Sequence, residues 1–229
     1  MKPMIIAVDG PAGSGKSSVC RGTAHSLGWR YLDTGAMYRA MTWAVLEAGI
    51  DPSNANEVAN FCTQPKILSG FDPQMPTIVV DGIDVSKAIR LEKVTSAVSA
   101  VSAISDVRTL LVLMQRQEAQ QALSDGTGIV VEGRDITTVV LPDAEVKIFL
   151  TARPEIRALR RAKEEAGSAS ATVKDIQATR EALQRRDHLD STRKASPLTQ
   201  SKEAFEIDTS DMTLDEVIAE VVVRAEAAQ

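Results

Sequence analysis

Gly10-Pro11-Ala12-Gly13-Ser14-Gly15-Lys16-Ser17 forms a complete G-x-x-x-x-G-K-[ST] phosphate-binding loop between a short apolar run and a helix-compatible stretch. A glycine-rich turn that opens a helix offers converging N–H donors and the positive end of the helix dipole to phosphate oxygens. In this motif the lysine reaches the β- and γ-phosphates, and the last hydroxyl ligates Mg²⁺. The stretch therefore predicts a nucleoside triphosphate site with the metal on Ser17. The predicted binding residues are Gly10, Pro11, Ala12, Gly13, Ser14, Gly15, Lys16, Ser17 and Ser18.

The bulk properties are those of an ordinary globular chain. Its 229 residues are 44% hydrophobic and 25% charged, which suits one large α/β domain or a core with small inserts. The formal net charge of −5 argues against a nucleic-acid-binding surface, because such surfaces usually carry a basic excess.

The same properties bear on compartment and partners. No segment approaches the roughly 20 apolar residues that span a bilayer, and the N-terminal apolar run is too short for a signal peptide. Cys20 and Cys62 lack metal-ligand spacing, which favours free thiols in a reducing cytosol over a disulfide. We therefore expect a cytoplasmic protein that binds neither nucleic acid nor membrane.

Strands and helices alternate in the first half of the sequence until a β-rich stretch interrupts them. Residues 29–33 predict a second short strand, and Thr34 is the expected N-cap of a helix with an apolar face. Between residues 65 and 86, short β-like runs are broken by proline and glycine, and Asp81-Gly82 predicts a hairpin. We expect a small inserted subdomain there.

The second half of the chain continues the alternation. Helical patterns cover residues 91–103 and 106–124, buried strands 128–132 and 146–150, charged helices 154–166 and 172–187 with a spacer at 167–171, and a last strand 205–208. The final helix starts with a capping box of Thr213 and Glu216, and we expect it to bury Leu214 among other apolar residues. The order of elements predicts the three-layer α/β fold of P-loop NTPases, with a mainly parallel central sheet whose strand order stays open.

Arginines are concentrated in the second half of the chain. Nine of them fall within sixty residues, namely Arg134, Arg153, Arg157, Arg160, Arg161, Arg180, Arg185, Arg186 and Arg193. The planar fork of arginine matches pairs of phosphate oxygens, and phosphoryl transfer depends mainly on neutralising charge. Arg134-Asp135 directly follows a strand, where ligands bind in open α/β sheets. Single arginines on the charged helices could instead pair with glutamates on a solvated face. The candidate catalytic residues are Lys16, Arg134, Asp135 and Arg157.

The loop alone serves kinases, switch GTPases and motor ATPases alike. The Asn-Lys-x-Asp element that is typical of guanine-specific switches is absent from the sequence. Motors usually carry an apolar strand that ends in Asp, and the nearest counterpart here is Ile129-Val130-Val131-Glu132. The sequence therefore favours a kinase.

Four stretches together are far more specific than the loop. They are residues 8–17, the run Leu32-Asp33-Thr34-Gly35-Ala36-Met37-Tyr38-Arg39, the run Val131-Glu132-Gly133-Arg134-Asp135 with residues 138–143, and the run Arg186-Asp187-His188-Leu189-Asp190-Ser191-Thr192-Arg193 with Pro197-Leu198. With the β-rich insert, the sequence resembles the bacterial cytidylate kinases over nearly its whole length.

The resemblance implies an activity and a domain organisation. It implies transfer of the γ-phosphoryl group of ATP, with Mg²⁺, to CMP or dCMP in pyrimidine nucleotide metabolism, by a monomer. It also implies a single domain over residues 1–229, with a nucleoside-monophosphate-binding insert at about 34–107 and a helical lid at about 154–190.

The resemblance further implies roles for individual residues. Arg39, Arg134 and Arg193 surround the acceptor phosphate near Thr34, Arg186 and Asp190 engage the ribose hydroxyls, and Ser99, Arg108 and Asp135 read the cytosine. A carboxylate beside a guanidinium and a hydroxyl suits the amine and the two acceptors of cytosine. Uracil would instead set a carbonyl against the carboxylate, and sites with such unpaired groups reject strongly.

At one position the chain departs from the family pattern. Thr137 stands where the family usually has glycine. A glycine kept for positive φ would leave Thr137 strained, whereas a glycine kept for close approach would leave only a shifted turn.

Asp9 and Asp33 stand at strand ends and could either orient magnesium-bound waters or cap helices.

Two alternatives stay open. One is a P-loop kinase for another small acceptor, such as a different nucleoside monophosphate, shikimate or dephospho-coenzyme A. The other, less favoured, is a nucleotide-dependent switch ATPase that acts on a protein partner.

Overall fold

Strands and helices alternate along most of the chain. A computed structural model gives residues 1–166 and 172–229, so the spacer predicted at 167–171 lies outside the described residues. The strands are β1 (Ile5–Asp9), β2 (Arg30–Asp33), β3 (Ile67–Ser69), β4 (Ile78–Val80), β5 (Ile83–Asp84), β6 (Ile129–Gly133), β7 (Val146–Thr151) and β8 (Phe205–Asp208). The helices are α1 (Lys16–Leu27), α2 (Thr34–Glu47), α3 (Ala55–Phe61), α4 (Glu92–Ser102), α5 (Ser105–Ser124), α6 (Pro154–Ala166), α7 (Val173–Thr192) and α8 (Leu214–Ala227).

Strand β1 lies inside a five-stranded sheet with the order β2-β6-β1-β7-β8. Asp9 at the end of β1 lies opposite Gly133 of β6 and Phe149 of β7. Among the described residues every pairing in this sheet is parallel. The carboxyl ends of β1, β2 and β6 therefore meet at one edge, where ligands bind in such sheets. The prediction of a mainly parallel sheet is confirmed, and its strand order is now determined.

Helices cover both faces of the sheet and complete the three predicted layers. Because successive strand residues point to opposite faces, Ile6 and Val8 join one core and Ala7 joins the other. Helices α1 and α8 pack on the first face, and α2 and α5 pack on the second. Burial of apolar surface, worth about 25 cal/mol per Å², holds these helices against the sheet.

A second, antiparallel sheet of β3, β4 and β5 forms in the β-rich stretch. Strands β4 and β5 pair through Val80 and Ile83. Between them, Asp81 and Gly82 both have positive φ, at 49° and 83°, as a tight two-residue hairpin turn requires. The predicted hairpin is confirmed.

Helices α4 and α5 are also confirmed and meet at an angle of 98°. Their apolar residues, including Val101 and Leu111, lie in the core. Within the described residues no single helix is long and apolar enough to cross a membrane, and this bent pair has the necessary length and composition only when both helices are taken together.

Three expectations about helices α2, α7 and α8 are corrected. Asp33, not Thr34, caps α2, because the Asp33 carboxylate accepts a hydrogen bond from the Ala36 N–H at 2.9 Å. Helix α7 continues to Thr192, so the fourth motif lies on its last turns. Leu214 was expected in the core but is 48% exposed, since it is the first residue of α8 and lines a cavity beside the phosphate loop.

Two glycines let the phosphate loop turn tightly at the sheet edge. Gly10 has a φ of 151°, and a Cβ there would lie 2.0 Å from the carbonyl oxygen of Leu150 in β7. Gly13 has a φ of 76°, and a Cβ there would lie 3.0 Å from the carbonyl oxygen of Arg157 in α6. The loop therefore needs glycine for close approach as well as for backbone conformation.

We predict that Gly10→Ala lowers the free energy of unfolding by at least about 2 kcal/mol more than Gly49→Ala, because overpacking adds to the cost of a positive φ. Gly49 is a matched control, with a φ of 72° and open space around the new Cβ among the described residues. Urea unfolding of both variants measures the difference. Equal losses would show that the contact with Leu150 does not matter.

Candidate active site

Lys16, at the first turn of α1, is folded back onto the phosphate loop. Its Nζ donates to the carbonyl oxygens of Gly10 and Pro11, at 2.7 Å each, and the residue is 6% exposed. Burial, followed by the positive charge of Arg134, lowers the pKa of Lys16 to about 7, although the Glu132 carboxylate opposes this. A bound phosphate would give the Lys16 ammonium group a negatively charged hydrogen-bond partner.

Glu132, at the end of β6, contacts the predicted metal ligand. Ser17 Oγ donates to Glu132 Oε2 at 3.1 Å, and the buried Tyr31 hydroxyl donates to Glu132 Oε1. Burial raises the pKa of Glu132, as does the nearby Asp33. In the sequence, Glu132 stands out as an imperfect counterpart of the motor ATPase aspartate and as part of the third motif, without a role of its own. Its position at the end of a buried strand beside the loop was the signal that could have identified it.

The acceptor residues proposed from the sequence converge on a cavity next to the loop. Eight of the nine line it, namely Thr34, Ser99, Arg108, Arg134, Asp135, Arg186, Asp190 and Arg193. They come from α2, α4, α5, α7, the residue directly after α7 and the segment after β6. The structure thus brings together residues that are up to 159 positions apart in the chain.

Asp135 lies at one end of this acceptor cavity between two guanidinium groups. Arg108 Nη2 forms an ion pair with one carboxylate oxygen, and Arg193 Nη2 lies 3.4 Å from the other. Arg108 also stacks over the Tyr38 ring, with its Cζ 5.4 Å from the ring centroid. Burial raises the pKa of Asp135, and the two arginines counteract the rise. A buried carboxylate is therefore held in a fixed position at the cavity.

Asp190 of α7 links two of the acceptor arginines. Its Oδ2 accepts from Arg134 Nε at 3.0 Å, and its Oδ1 lies 3.9 Å from Arg193 Nη1. Arg193 therefore lies between Asp135 and Asp190.

Arg39, the ninth proposed residue, lines a second cavity beside the phosphate loop, which we call the junction cavity. Its Nη1 donates to Ile89 O at 3.1 Å and to Thr95 Oγ1 at 2.8 Å. Arg134 and Arg186 line both this junction cavity and the acceptor cavity, so the two cavities are adjacent. Burial, assisted by neighbouring arginines, lowers the pKa of Arg39 to about 9 and that of Arg186 to about 10.

A third cavity lies on the other side of the loop and was not found from the sequence. Apolar side chains line it, including Met212, Leu214 and Val217, together with Arg160. Arg160 is fixed there by Thr209, because its Nη2 donates to Thr209 O at 2.6 Å. We call it the donor-side cavity. Several of its residues follow β8 at the carboxyl edge of the sheet, where ligands bind, and this position could have indicated the cavity from the sequence.

Arg157, a candidate catalytic residue, contacts the backbone of the phosphate loop. Its Nη1 donates to Ala12 O at 3.0 Å and forms an ion pair with Asp187, and its Nε donates to Ala152 O at 3.1 Å. The geometry is that of a positioning group, and contact with the transferred phosphoryl group remains a prediction.

Asp9 joins the loop-bearing strand to the segment that carries Arg134 and Asp135. Its carboxylate accepts from the Ile136 and Thr137 N–H groups at 2.8 Å each and from Thr137 Oγ1 at 2.7 Å. Thr137 lies in a π-helical turn, Ile136–Val140, and is not among the described residues with positive φ. Thr137 is therefore unstrained, and its hydroxyl adds a bond that glycine could not make.

The titratable residues of the chain also bear on metal binding. Within the described residues, no group of three or more His, Cys, Asp and Glu side chains could hold a metal ion by itself.

A phosphate-binding loop that opens into an arginine-lined acceptor cavity defines a P-loop phosphotransferase for a small acceptor. The chain matches the family model for cytidylate kinase over residues 6–227. A cytidylate kinase of Streptomyces griseus subsp. griseus is 54% identical over 223 residues, which cover 97% of this chain and 93% of that one. The chain belongs to the cytidylate kinase family, and the resemblance seen in the sequence is confirmed.

A second relative agrees with this assignment, and one solved structure shares the fold. A cytidylate kinase of Mycobacterium leprae is 53% identical over 223 residues, which cover 97% of this chain and 95% of that one. The solved structure of an uncharacterized protein from Eubacterium ventriosum has a TM-score of 0.51 at 12% identity and covers 99% of both chains. The latter similarity concerns the fold alone.

We predict that Thr137→Val lowers the free energy of unfolding by about 1.5–3 kcal/mol, because it removes a hydrogen bond to a buried carboxylate. Thr138→Val is the matched control, since Thr138 Oγ1 is buried with no hydrogen-bond partner among the described residues. The control should change stability by less than about 0.5 kcal/mol or increase it. Chemical denaturation measures both, and equal effects would remove the special role of the Asp9 contact.

Proposed function

We propose that this chain transfers the γ-phosphoryl group of ATP to CMP or dCMP, giving ADP and CDP or dCDP. The observation that carries the proposal is the charge imbalance of the junction cavity. Among the described residues, seven Lys and Arg side chains and three carboxylates line it. Phosphoryl transfer brings several anionic phosphates together, and neutralising them is most of the protein's task. Family membership indicates the acceptor.

On the donor side, Lys16 and the loop amides hold the triphosphate. The residues fit Mg²⁺, which prefers oxygen ligands and keeps several waters, because the Ser17 hydroxyl lies against the Glu132 carboxylate. When bound, the ion neutralises phosphate charge. We place adenosine in the donor-side cavity, between Arg160 and the apolar side chains of Met212 and Leu214.

On the acceptor side, Asp135 accepts a hydrogen bond from the exocyclic amine of cytosine. Arg108 and Ser99 contact the other polar groups on the same edge of the base. Asp135 is fixed for this role by its ion pair with Arg108. Uracil would present a carbonyl oxygen to the Asp135 carboxylate, and two opposed acceptors in a buried site are strongly unfavourable.

The other acceptor residues hold the sugar and the phosphate. Asp190 and Arg186 engage the ribose hydroxyls, and Arg39 and Arg134 bind the acceptor phosphate near Thr34. We assign Arg193 to the acceptor phosphate as well, and its guanidinium lies between Asp135 and Asp190.

The reaction is an in-line transfer in which positioning and electrostatics supply most of the rate. The CMP phosphate is already anionic, so the site needs no strong general base. Arg134 lines both cavities, which supports its assignment to the phosphate of the acceptor. Arg157 contributes by fixing the loop through Ala12.

Water must be kept from the transferred group. We assign that task to two parts of a single domain, the insert at about 34–107 and the helical lid at about 154–190, which close over the nucleotides. We further propose a cytoplasmic monomer whose ligands are nucleotides, with neither nucleic acid nor membrane as partner.

A panel of acceptors with ATP and Mg²⁺ tests the function. Coupled ADP release should be fastest with CMP or dCMP, and markedly slower with UMP, AMP, shikimate or dephospho-coenzyme A. Preference for one of these other acceptors would favour the alternative small-molecule kinase. Slow hydrolysis that no small acceptor stimulates would favour a switch ATPase.

We predict that Asp135→Asn narrows the preference for CMP over UMP in kcat/KM by about tenfold or more, because the amide can donate to the uracil carbonyl. Steady-state kinetics with both acceptors measure the ratio. Asp143→Asn, which changes an exposed carboxylate outside the acceptor cavity, is the control. Unchanged discrimination in Asp135→Asn would remove this residue from base recognition.

A further inference from the structure

Helix α7 has side chains that reach both substrate sites. Arg186 and Asp190 line the acceptor cavity. The neighbouring residue Asp187 points the other way, and its Oδ1 accepts a hydrogen bond from the Ala12 N–H of the phosphate loop at 3.0 Å. One helical segment therefore contacts the acceptor site and the donor loop within five residues.

Both backbone polar groups of Ala12 are hydrogen-bonded to side chains. Its N–H donates to Asp187, while its carbonyl oxygen accepts from Arg157 Nη1 at 3.0 Å. Arg157 in turn forms an ion pair with Asp187, whose side chain is 19% exposed. Helices α6 and α7 thus hold one residue of the loop through the two side chains of an ion pair.

The negative charge of Asp187, close to the phosphate loop, is neutralised by its ion pair with Arg157. A carboxylate beside a phosphate-binding loop would repel the triphosphate unless its charge were neutralised. Arg157 supplies the opposite charge, and the Ala12 N–H bonded to Asp187 is committed to shaping the loop. The contact therefore acts on loop conformation and not on the phosphate directly.

We propose that Asp187 is a positioning residue that couples the two nucleotide sites. The proposal rests on the proposed function, because it takes CMP as the ligand that fixes α7 through Arg186 and Asp190. With α7 fixed, Asp187 holds Ala12 and keeps the loop ready for phosphate. CMP then strengthens ATP binding, and thermodynamic linkage requires ATP to strengthen CMP binding by the same factor.

Calorimetric titration of a non-hydrolysable ATP analogue with Mg²⁺, with and without saturating CMP, tests the coupling. In the wild-type chain CMP should lower the Kd of the analogue by about fivefold or more, the usual range of such couplings. Asp187→Ala should reduce that ratio to within about twofold of one. The Kd of CMP measured alone should change by less than about twofold, because Asp187 does not line the acceptor cavity.

Two further variants separate coupling from general damage to α7. Asp187→Asn keeps a carbonyl oxygen for Ala12 but loses the ion pair with Arg157, and it should weaken the coupling even if Asp187→Ala fails to fold. Glu181→Gln removes the same charge from an exposed site on α7, where Glu181 contacts Gln177 at 2.9 Å, and it should keep the wild-type ratio.

The possible failures are distinguishable. A chain that does not bind CMP at all would contradict the proposed function. A wild-type chain that binds both nucleotides independently, or an Asp187→Asn variant with the full wild-type ratio, would overturn the coupling role and leave the proposed function intact.

Discussion

Buried positive charge that the protein leaves unbalanced is the constraint on which this site depends. Burial lowers the pKa of Lys16 to about 7 and that of Arg39 to about 9. In the structure these cations are held by neutral groups, since Lys16 donates to loop carbonyls and Arg39 to Ile89 O and Thr95 Oγ1. Phosphate oxygens pair more strongly with such donors, so the binding of phosphates completes an incomplete set of interactions.

The parallel sheet is what brings these charges together. The carboxyl ends of β1 and β6 are adjacent, with Asp9 opposite Gly133, so the phosphate loop and the Arg134 segment leave the same edge side by side. Asp9 then fixes the second segment to the first strand through Ile136 and Thr137. Donor and acceptor positions are therefore set by backbone pairing and a buried carboxylate before any nucleotide arrives.

Local physics explains what could be predicted from the sequence. The loop, the alternation of apolar runs and helices, and the Asp81-Gly82 turn each depend on neighbouring residues, and all three are confirmed. The acceptor residues came from motif resemblance, and eight of them line one cavity. Their individual roles remain proposals that the acceptor panel and the variants test.

Side-chain pairings over long sequence distances could not be predicted in the same way. The contact between Tyr31 and Glu132 joins residues 101 positions apart, and Arg157 reaches Ala12 across 145 positions. Neither pairing leaves a periodic pattern. Leu214 shows the converse, because its helical spacing suggested the core while its place at the start of α8 puts it in the donor-side cavity.

A compound in which adenosine and cytidine are joined through five phosphates tests most directly whether donor and acceptor cavities form one continuous site. Isothermal titration calorimetry should show one molecule bound per chain, more tightly than ATP or CMP alone, and either nucleotide should displace it. Binding of two molecules per chain, or displacement by only one of the nucleotides, would contradict a continuous site.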